Sequence, residues 1–525
     1  MSFEKLYNGG LKQMKVTKIT ETSENREETC IGSIFNSYKF VLFYILKSND
    51  RLHTELNILL PQLLSNRVME ERNSEKKNNT SSKLKQFFTI KKKKLKKQED
   101  EKSYLLENVI ILFDLDNNCN DNYANILNSI NIPHDQKDLW YKLDINSPIF
   151  LGKFLRTLHY NRIPQLCLIE TDSKKVMTYE AKRWLMEDPC GANYPWFDEP
   201  LSTLFKGKLY KKNSENSKIE VDFSTLSGVV KALVFGANWA PPCRAMIKQL
   251  IPIYKQLKTS KINIEFIFCS TDLSEESYDL FYNQMPWYAF PYDKVKLGNL
   301  SKTIGVTDIP AVILINENDK IITKHGRSCL LYDQFGKNFP WDEQPIYELN
   351  EGSAPRLSDG LSLVLFTEGS PEDVRFSIDV LKSISEECFP NEKDISNNGD
   401  KNSLGVTKST SLISMDSILS IQENMQVFYT GEDPICDHIM ENLGLGDAEL
   451  PLIAIIDILS GTLALCDNPD VSEEIISEFV SDYKSDKIPL IQLPSSKTEK
   501  TQKVGGIPMK IIEQALDKTM VNEES

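Results

Sequence analysis

Runs of apolar residues in the middle of the chain alternate with segments of helical periodicity. Lys231–Asn238 is nearly all apolar and predicts a buried strand, and Met246, Leu250, Ile253, Tyr254 and Leu257 follow at the spacing of one helix face. The same pattern continues with strand 264–270, helix 274–285, strand 311–316 and strand 320–324. Parallel strands joined by helices and closed by a hairpin predict an α/β sandwich.

The outer thirds of the chain show a similar order of elements. The first third predicts strand 40–46, helix 52–64, strand 109–114 and an Asn-rich helical stretch that ends near Ile130. The last third predicts strand 361–366, helix 372–384, strand 426–430, helix 435–443, the strand pair 452–456 and 462–465, and a final helix over 471–483. We therefore expect three consecutive α/β domains.

An internal repeat supports this count. Arg156–Glu170 parallels Lys302–Asn316, and each copy ends alike, in Tyr194–Pro200 and Phe339–Pro345. Pro164 precedes Trp196 by 32 residues, and Pro310 precedes Trp341 by 31 residues, which favours a duplication. The boundary then lies near residue 200. The tryptophans Trp196 and Trp341, with Trp287, are either binding aromatics or packing residues, and packing is favoured.

Polar stretches define the remaining boundaries. We expect domains over 1–200, 201–350 and 355–487, a polar tail over 488–525, a polar insert near 68–102 in the first domain, and a flexible insert over 390–417 in the third. Lys91–Lys97 holds six lysines in seven residues. This run is either a solvated, disordered segment or a nuclear-localisation patch, and the solvated interpretation is favoured.

Composition excludes several classes of function. The 525 residues are 40% hydrophobic and 26% charged, with a net charge of −14, which argues against nucleic-acid and membrane partners. The chain begins without a signal-like apolar stretch, and we expect a soluble cytoplasmic protein, also nuclear if the lysine run directs it there. Ten scattered cysteines and five dispersed histidines indicate no metal site, and no phosphate-binding loop appears, so no cofactor is expected.

The segment Trp239–Arg244 has the outline of a dithiol redox site with one sulfur missing. In a Cys-x-x-Cys site the first cysteine lies at a helix N-terminus and attacks as thiolate, and the second resolves the mixed disulfide. Here Ala240 occupies the first position and Cys243 the second. Alanine has no nucleophile, so exchange between two cysteines within this motif is excluded.

The chain resembles the nucleoredoxin family of thioredoxin-like proteins, whose motif reads Trp-Cys-Pro-Pro-Cys-Arg. The residues that carry the resemblance are Trp239–Arg244, Ser274–Ser277, Met285–Pro291, Asp308–Pro310 and Phe339–Trp341. The resemblance implies three tandem thioredoxin-like domains, a thiol–disulfide oxidoreductase lineage, and regulatory binding of signalling proteins such as Dishevelled in the Wnt pathway.

The resemblance also assigns roles to individual residues. It implies a cis peptide bond before Pro310 and places Ile309 and Pro310 opposite the motif, where they border a groove for an extended peptide together with Trp239, Ala240, Pro241 and Pro242. By the internal repeat, the bond before Pro164 matches it, and the bond before Pro451 is a weaker candidate. Trp239 either covers the first helical turn or belongs to the contact surface.

Three interpretations of Cys243 stay open from sequence. It is a buried thiol kept by helix packing, a monothiol that forms mixed disulfides or is glutathionylated, or the partner of a distant cysteine such as Cys269 or Cys329. The corresponding functions are a protein-binding module with impaired dithiol activity, which we favour, and a monothiol protein-disulfide reductase. A holdase-like chaperone using the same groove is not separable from the first.

Overall fold

The structure is a computed structural model that describes residues 2–19, 28–47, 55–67, 106–115, 130, 132–213, 215, 217–388 and 425–494. Three sequence predictions lie outside these residues: the lysine run 91–97 with its insert, the flexible insert 390–417, and the Asn-rich stretch before Ile130. The described chain carries three β-sheets, each covered by helices, and is mixed α/β as predicted.

The middle sheet has seven strands in the order β14-β13-β10-β11-β12-β8-β9. Its strands are β8 (Lys208–Lys212), β9 (Lys218–Asp222), β10 (Val230–Gly236), β11 (Ile264–Ser270), β12 (Tyr288–Ala289), β13 (Ala311–Ile315) and β14 (Ile321–Thr323). Strand β10 is buried along its whole length, because helices cover both faces of the sheet. It pairs parallel with β11 and antiparallel with β13.

Five helices accompany the middle sheet, at Leu201–Leu204, Pro241–Thr259, Glu275–Tyr282, Lys294–Ile304 and Gly326–Tyr332. Ala232 and Val234 of β10 pack with the buried face of helix 241–259, whereas Leu233 and Phe235 pack with helix 294–304. This alternation separates two apolar cores, one on each face of the sheet. The hairpin β8–β9 and helix 294–304 were not predicted from the sequence.

The N-terminal sheet also has seven strands, in the order β2-β1-β5-β4-β3-β6-β7. They are β1 (Lys15–Lys18), β2 (Glu28–Cys30), β3 (Tyr38–Leu46), β4 (Leu106–Asp114), β5 (Trp140–Leu143), β6 (Gln165–Glu170) and β7 (Lys175–Thr178). Helices lie at Phe3–Asn8, Ile31–Ser37, 55–67 and Ala181–Glu187, and helix Pro148–Thr157 follows β5 along the chain. The predicted strands 40–46 and 109–114 correspond to β3 and β4, which pair parallel.

The third sheet has six strands in the order β15-β17-β16-β18-β19-β20. They are β15 (Tyr347–Leu349), β16 (Leu361–Phe366), β17 (Met425–Thr430), β18 (Leu452–Asp457), β19 (Thr462–Leu465) and β20 (Ile491–Gln492), with helices Pro371–Cys388, Ile435–Leu443 and Glu473–Lys484. The sheet continues to Gln492, beyond residue 487, because β20 pairs with β19 through its backbone although its side chains are exposed.

Contacts divide the chain into two compact units, one of residues 1–147 with 157–198, and one of residues 148–156 with 199–525. The second unit therefore contains both the middle and the third sheet. The positions of the three sequence-based domain boundaries stay a prediction.

The internal repeat has a structural counterpart in two loops that each anchor a tryptophan on an aspartate. The Asp333 carboxylate accepts the N–H groups of Lys337 and Asn338 at 2.8 and 2.7 Å and the indole N–H of Trp341 at 3.1 Å. The Asp188 carboxylate does the same with Ala192 at 2.9 Å, Asn193 at 2.8 Å and Trp196 at 3.1 Å.

The two anchored tryptophans are buried, as is Trp287, so these side chains are interior residues and do not form an exposed binding surface. Although partial burial opposes it, hydrogen bonding holds the pKa of Asp188 below its usual value. The repeated Asp-to-Trp spacing of eight residues is therefore a structural element of both copies.

A buried ion pair stabilises the end of the middle sheet opposite the motif. The Lys231 ammonium is 2.7 Å from the Asp319 carboxylate, with the lysine side chain 1% and the aspartate side chain 33% exposed. We expect Asp319→Asn to lower the free energy of unfolding by about 2 kcal/mol, because a buried ammonium loses its counter-charge. Asparagine tolerates the positive φ of 60° at this turn position.

The matched control for this prediction adds Lys231→Met to the Asp319→Asn variant. Removing both charges restores most of the loss, since an apolar side chain of similar length then fills the site. The measurement is chemical denaturation, combined with hydrogen exchange of β10 and β13 read by mass spectrometry. Equal destabilisation of the single and double variants would contradict the role of the charge.

Candidate functional site

The motif forms the turn between strand β10 and the helix Pro241–Thr259. Ala240 is the N-cap residue, with an extended backbone (φ −89°, ψ 114°), and its side chain makes no capping hydrogen bond. Pro241 and Pro242 occupy the first helical turn, where a missing N–H is tolerated because no intrahelical acceptor exists for it. The structure thus places residue 240 where the positive end of a helix dipole lies.

The Cys243 side chain points into the core and is fully buried. It lies next to Gly236, where an added Cβ would be in ordinary van der Waals contact with the Cys243 Sγ at 3.4 Å. Burial raises the pKa of the thiol above its usual value, although the Arg244 charge and a hydrogen bond from the Ala237 backbone act in the opposite direction. Cys243 is therefore mostly a protonated thiol at neutral pH, which disfavours nucleophilic attack.

A buried aspartate lies under the motif turn. Asp272 follows β11, and its carboxylate accepts the backbone N–H of Asn238 at 2.9 Å and the hydroxyls of Ser270 and Ser277 at 2.9 and 2.8 Å. Its negative charge contributes to the raised pKa of Cys243. Asp272 fixes the backbone of the motif turn, and it was not predicted from the sequence because its partners come from three different segments.

The loop before β13 lies at the same end of the sheet as the motif. Ala311 is opposite Phe235 in the register of β13 with β10, so Ile309 and Pro310 extend beyond the sheet beside Ala237–Ala240. The Ile309–Pro310 peptide bond is cis, as predicted, and so are the bonds before Pro164 and Pro451. The bonds before Pro195 and Pro340 are also cis and were not predicted.

Ile309 is partly buried and packs against both cores of the middle sheet, including the core that contains Cys243. Within the part of the chain that the structure describes, its backbone N–H and C=O make no hydrogen bond. A donor and an acceptor of the main chain are thus available beside the motif, as pairing with an extended peptide requires.

Exposed apolar side chains surround the motif turn. The Trp239 side chain is 57% exposed, which favours the contact-surface interpretation over a cover for the first helical turn. Leu273, next to Asp272, is 74% exposed, and Pro241 and Pro242 are exposed as well. Leu273 was missed from the sequence, since only the contact between Asp272 and the motif turn shows that it lies nearby. We call Trp239, Leu273, Ile309 and Pro310 the motif face.

No second sulfur joins Cys243 in the described residues, where all nine cysteines are free. Cys269 points to the opposite face of the sheet, because it packs with Leu233 and Phe235 rather than with Cys243. Burial raises its pKa well above the usual value. Cys329 lies in the same apolar core as Cys243, but both thiols are free, and the Cys329 Sγ contacts the Gly352 carbonyl at 4.0 Å and the Arg356 side chain.

In the third sheet, the turn after β16 corresponds to the motif turn, and a neighbouring loop packs against it. Thr367 of this turn donates its backbone N–H to the side-chain hydroxyl of Thr430 at 2.8 Å. A Cβ on Gly369 would lie 2.3 Å from the Gly431 carbonyl oxygen, so two loops meet where the middle sheet has its motif face. This turn contains no cysteine, and its packing leaves little room for a ligand.

The described residues contain no group of three or more histidine, cysteine, aspartate or glutamate side chains that could hold a metal ion. Nor does any helix among them combine the length and apolar character that crossing a bilayer requires.

Comparison with known proteins gives two family matches. Residues 228–321 match a family model described as thioredoxin-like, and residues 343–487 match a model described as a thioredoxin-like C-terminal domain. Nucleoredoxin from Xenopus laevis is 28% identical over 338 residues, which cover 64% of this chain and 75% of that protein. Nucleoredoxin from Homo sapiens is 27% identical over 330 residues, covering 62% of this chain and 69% of the relative.

A shorter relative is more similar over a smaller part of the chain. Tryparedoxin from Trypanosoma brucei brucei is 37% identical over 124 residues, which cover 23% of this chain and 85% of that protein.

Proposed function

The chain belongs to the thioredoxin-like family of the nucleoredoxins and tryparedoxins, and we propose that its motif face binds extended polypeptide segments without dithiol exchange. The family is one of thiol–disulfide oxidoreductases. The observation that carries the proposal is the pairing of Ala240 at the N-cap position with a fully buried Cys243. The attacking thiol is absent, and the remaining one is protonated and inaccessible.

The motif face carries the groups that peptide recognition requires, although the pair of cysteines is incomplete. Trp239 and Leu273 offer apolar side chains to a partner, and Ile309 offers an N–H and a C=O for main-chain pairing. A large exposed aromatic next to free backbone groups matches the way in which extended peptides bind, where main-chain hydrogen bonds give affinity and side-chain contacts give specificity.

The nucleoredoxin resemblance supplies the partner class and the compartment of this proposal. We propose that the bound segment belongs to a signalling protein, with the Wnt pathway as the first place to search, and that binding occurs in the cytoplasm or nucleus. The alternative activity, monothiol reduction of protein disulfides, requires Cys243 to become exposed. Its burial and raised pKa make this alternative the weaker one.

The proposal is tested by selecting peptides from a displayed random library on the full chain and measuring their affinity by calorimetry. We expect Trp239→Ala to weaken binding by about 2 kcal/mol, roughly thirtyfold, because an exposed aromatic at the centre of the face acts as a binding hot spot. Phe335→Ala is the matched control, since Phe335 is 58% exposed and lies elsewhere on the same domain.

The variant Cys243→Ala distinguishes peptide binding from the monothiol reduction of protein disulfides. Binding that persists in this variant, and in the presence of a reducing agent, supports recognition without a thiol. Capture that requires Cys243 and is reversed by reducing agent would replace the proposal with the monothiol activity. Equal losses for Trp239→Ala and Phe335→Ala would mean that the motif face is not the binding surface.

A further inference from the structure

The middle sheet ends in an open strand on the side away from β13. In the described chain β9 pairs only with β8, and its five residues make it the longest edge strand of the three sheets. The β8–β9 register is regular from Lys208 opposite Asp222 to Lys212 opposite Lys218, without a bulge. Its sequence also contains no proline, so two common protections of a strand edge are absent.

The hydrogen bonds at the two ends of the hairpin fix which backbone groups face outward. Asn213 donates its N–H to the Ser217 carbonyl at 3.0 Å, and Phe223 donates to the Gly207 carbonyl at 2.8 Å. In an antiparallel ladder, hydrogen-bonded pairs alternate with non-bonded pairs, so Ile219 and Val221 point their backbone groups at β8. The N–H and C=O groups of Lys218 and Glu220 therefore point away from β8, to the open edge.

The side chains of β9 suit pairing with an identical strand. Lys218 and Glu220 carry opposite charges and flank Ile219, which is 41% exposed. When two copies of β9 pair antiparallel with their Ile219 residues opposite each other, each Lys218 lies opposite Glu220 of the second copy. Pairing with the two Glu220 residues opposite each other would also put each Lys218 opposite Asp222, but it would bring two glutamates together at the centre, which is unfavourable.

We propose that β9 is a self-association surface, at which two copies of this chain join their middle sheets antiparallel about Ile219. Lys218 also contacts Asp279, and Glu220 contacts Lys208, within one copy. Both ion pairs lie at least partly in solvent, where an ion pair contributes little. The Lys218 ammonium also lies over the rings of Tyr210, Tyr278 and Tyr282 at 5.6, 5.2 and 5.7 Å, and pairing across the edge replaces these contacts, which weakens the association without preventing it. One strand pair buries much less than the ~1,200 Å² of a standard interface, so association is weak and depends on concentration.

This surface is independent of the motif face. Three strands, β11, β12 and β8, separate β9 from β10, which carries the motif. Self-association therefore leaves the motif face open, and the inference does not rest on the proposed binding function.

Sedimentation equilibrium of the full chain over a concentration series tests the proposal. The wild type is expected to form dimers at high concentration. Lys218→Glu and Glu220→Lys each create like charges across the pair, and each variant alone is expected to be monomeric over the same range. A mixture of the two variants restores opposite charges at both positions and is expected to form mixed dimers. Unchanged thermal unfolding verifies the fold of each variant.

A second variant tests the backbone contribution. Glu220→Pro removes an outward N–H that the β8–β9 ladder does not use, so it should abolish dimers while the hairpin is kept. A wild type that stays monomeric at all concentrations would overturn the proposal. So would dimers that persist in both single charge variants, or a mixture that does not associate.

Discussion

Ala240→Cys should raise the dithiol reductase activity of this protein well above that of the wild type. The new thiol would lie at the N-cap of helix 241–259, where the helix dipole favours the thiolate, three residues before Cys243. We expect the rate of protein-disulfide reduction, with a dithiol as electron donor, to rise at least about tenfold, because an activated thiol and a resolving thiol are then both present. The wild type should stay near the uncatalysed rate.

Two variants serve as controls for this gain. Ala240→Ser matches the size of the new side chain without a thiol and should behave like the wild type. The double variant Ala240→Cys with Cys243→Ser should accumulate a mixed disulfide with the substrate and turn over more slowly, because no protein thiol resolves it and only the dithiol donor releases it. Wild-type turnover equal to that of Ala240→Cys would identify another cysteine as the nucleophile, and the binding proposal would then have to yield to an enzymatic one.

Asp333→Ala should be among the most destabilising single substitutions in the middle domain. The carboxylate holds two backbone N–H groups and the indole N–H of buried Trp341. Hydrogen bonds to a charged group contribute more than neutral ones, and a buried donor left unpaired is costly, so we expect a loss of about 3 kcal/mol. Thermal and urea unfolding, followed by tryptophan fluorescence, measure it.

Asp342→Ala provides the matched control, since Asp342 is an exposed aspartate next to Trp341. It should change stability by less than about 0.5 kcal/mol. Adding Trp341→Phe to Asp333→Ala should cost less than the sum of the two single changes, because the unpaired indole N–H is then absent. Additive losses would show that Asp333 acts through something other than its bond to the indole.

The sequence predicted the strands that are buried on both faces. Strand β10 and strands β11 and β16 came from continuous apolar runs, since a strand covered on both faces needs no polar alternation. The hairpin β8–β9 was missed for the opposite reason. It lies at the sheet edge, most of its residues are polar, and Leu209 is its one fully buried side chain.

Helix 294–304 could have been predicted from its ends. Asp293 caps it by accepting the N–H groups of Val295 and Lys296, and Gly305 ends it in the left-handed region with φ 79°. Its apolar positions alone are too few for the periodicity to be recognised. Capping residues were more informative here than the apolar pattern.

The candidate site also contains residues that were predicted from the sequence and residues that were missed. Trp239, Ala240 and Cys243 are contiguous in sequence, and Pro310 followed from family resemblance. Asp272 acts through partners on three segments, and nothing in its local sequence distinguishes it from other loop acids. Asp188 and Asp333, in contrast, occur at the same distance before a tryptophan in both copies of the repeat. That comparison would have found them without coordinates.

The burial of Cys243 beneath helix 241–259 changes what a single cysteine in this motif indicates. Its side chain belongs to the apolar core, and a Cβ on Gly236 would lie in ordinary van der Waals contact with its Sγ at 3.4 Å. A thiol in this place contributes packing volume whether or not it takes part in disulfide exchange. Among proteins with this motif, the identity of residue 240 is therefore a better marker of dithiol chemistry than the cysteine at position 243.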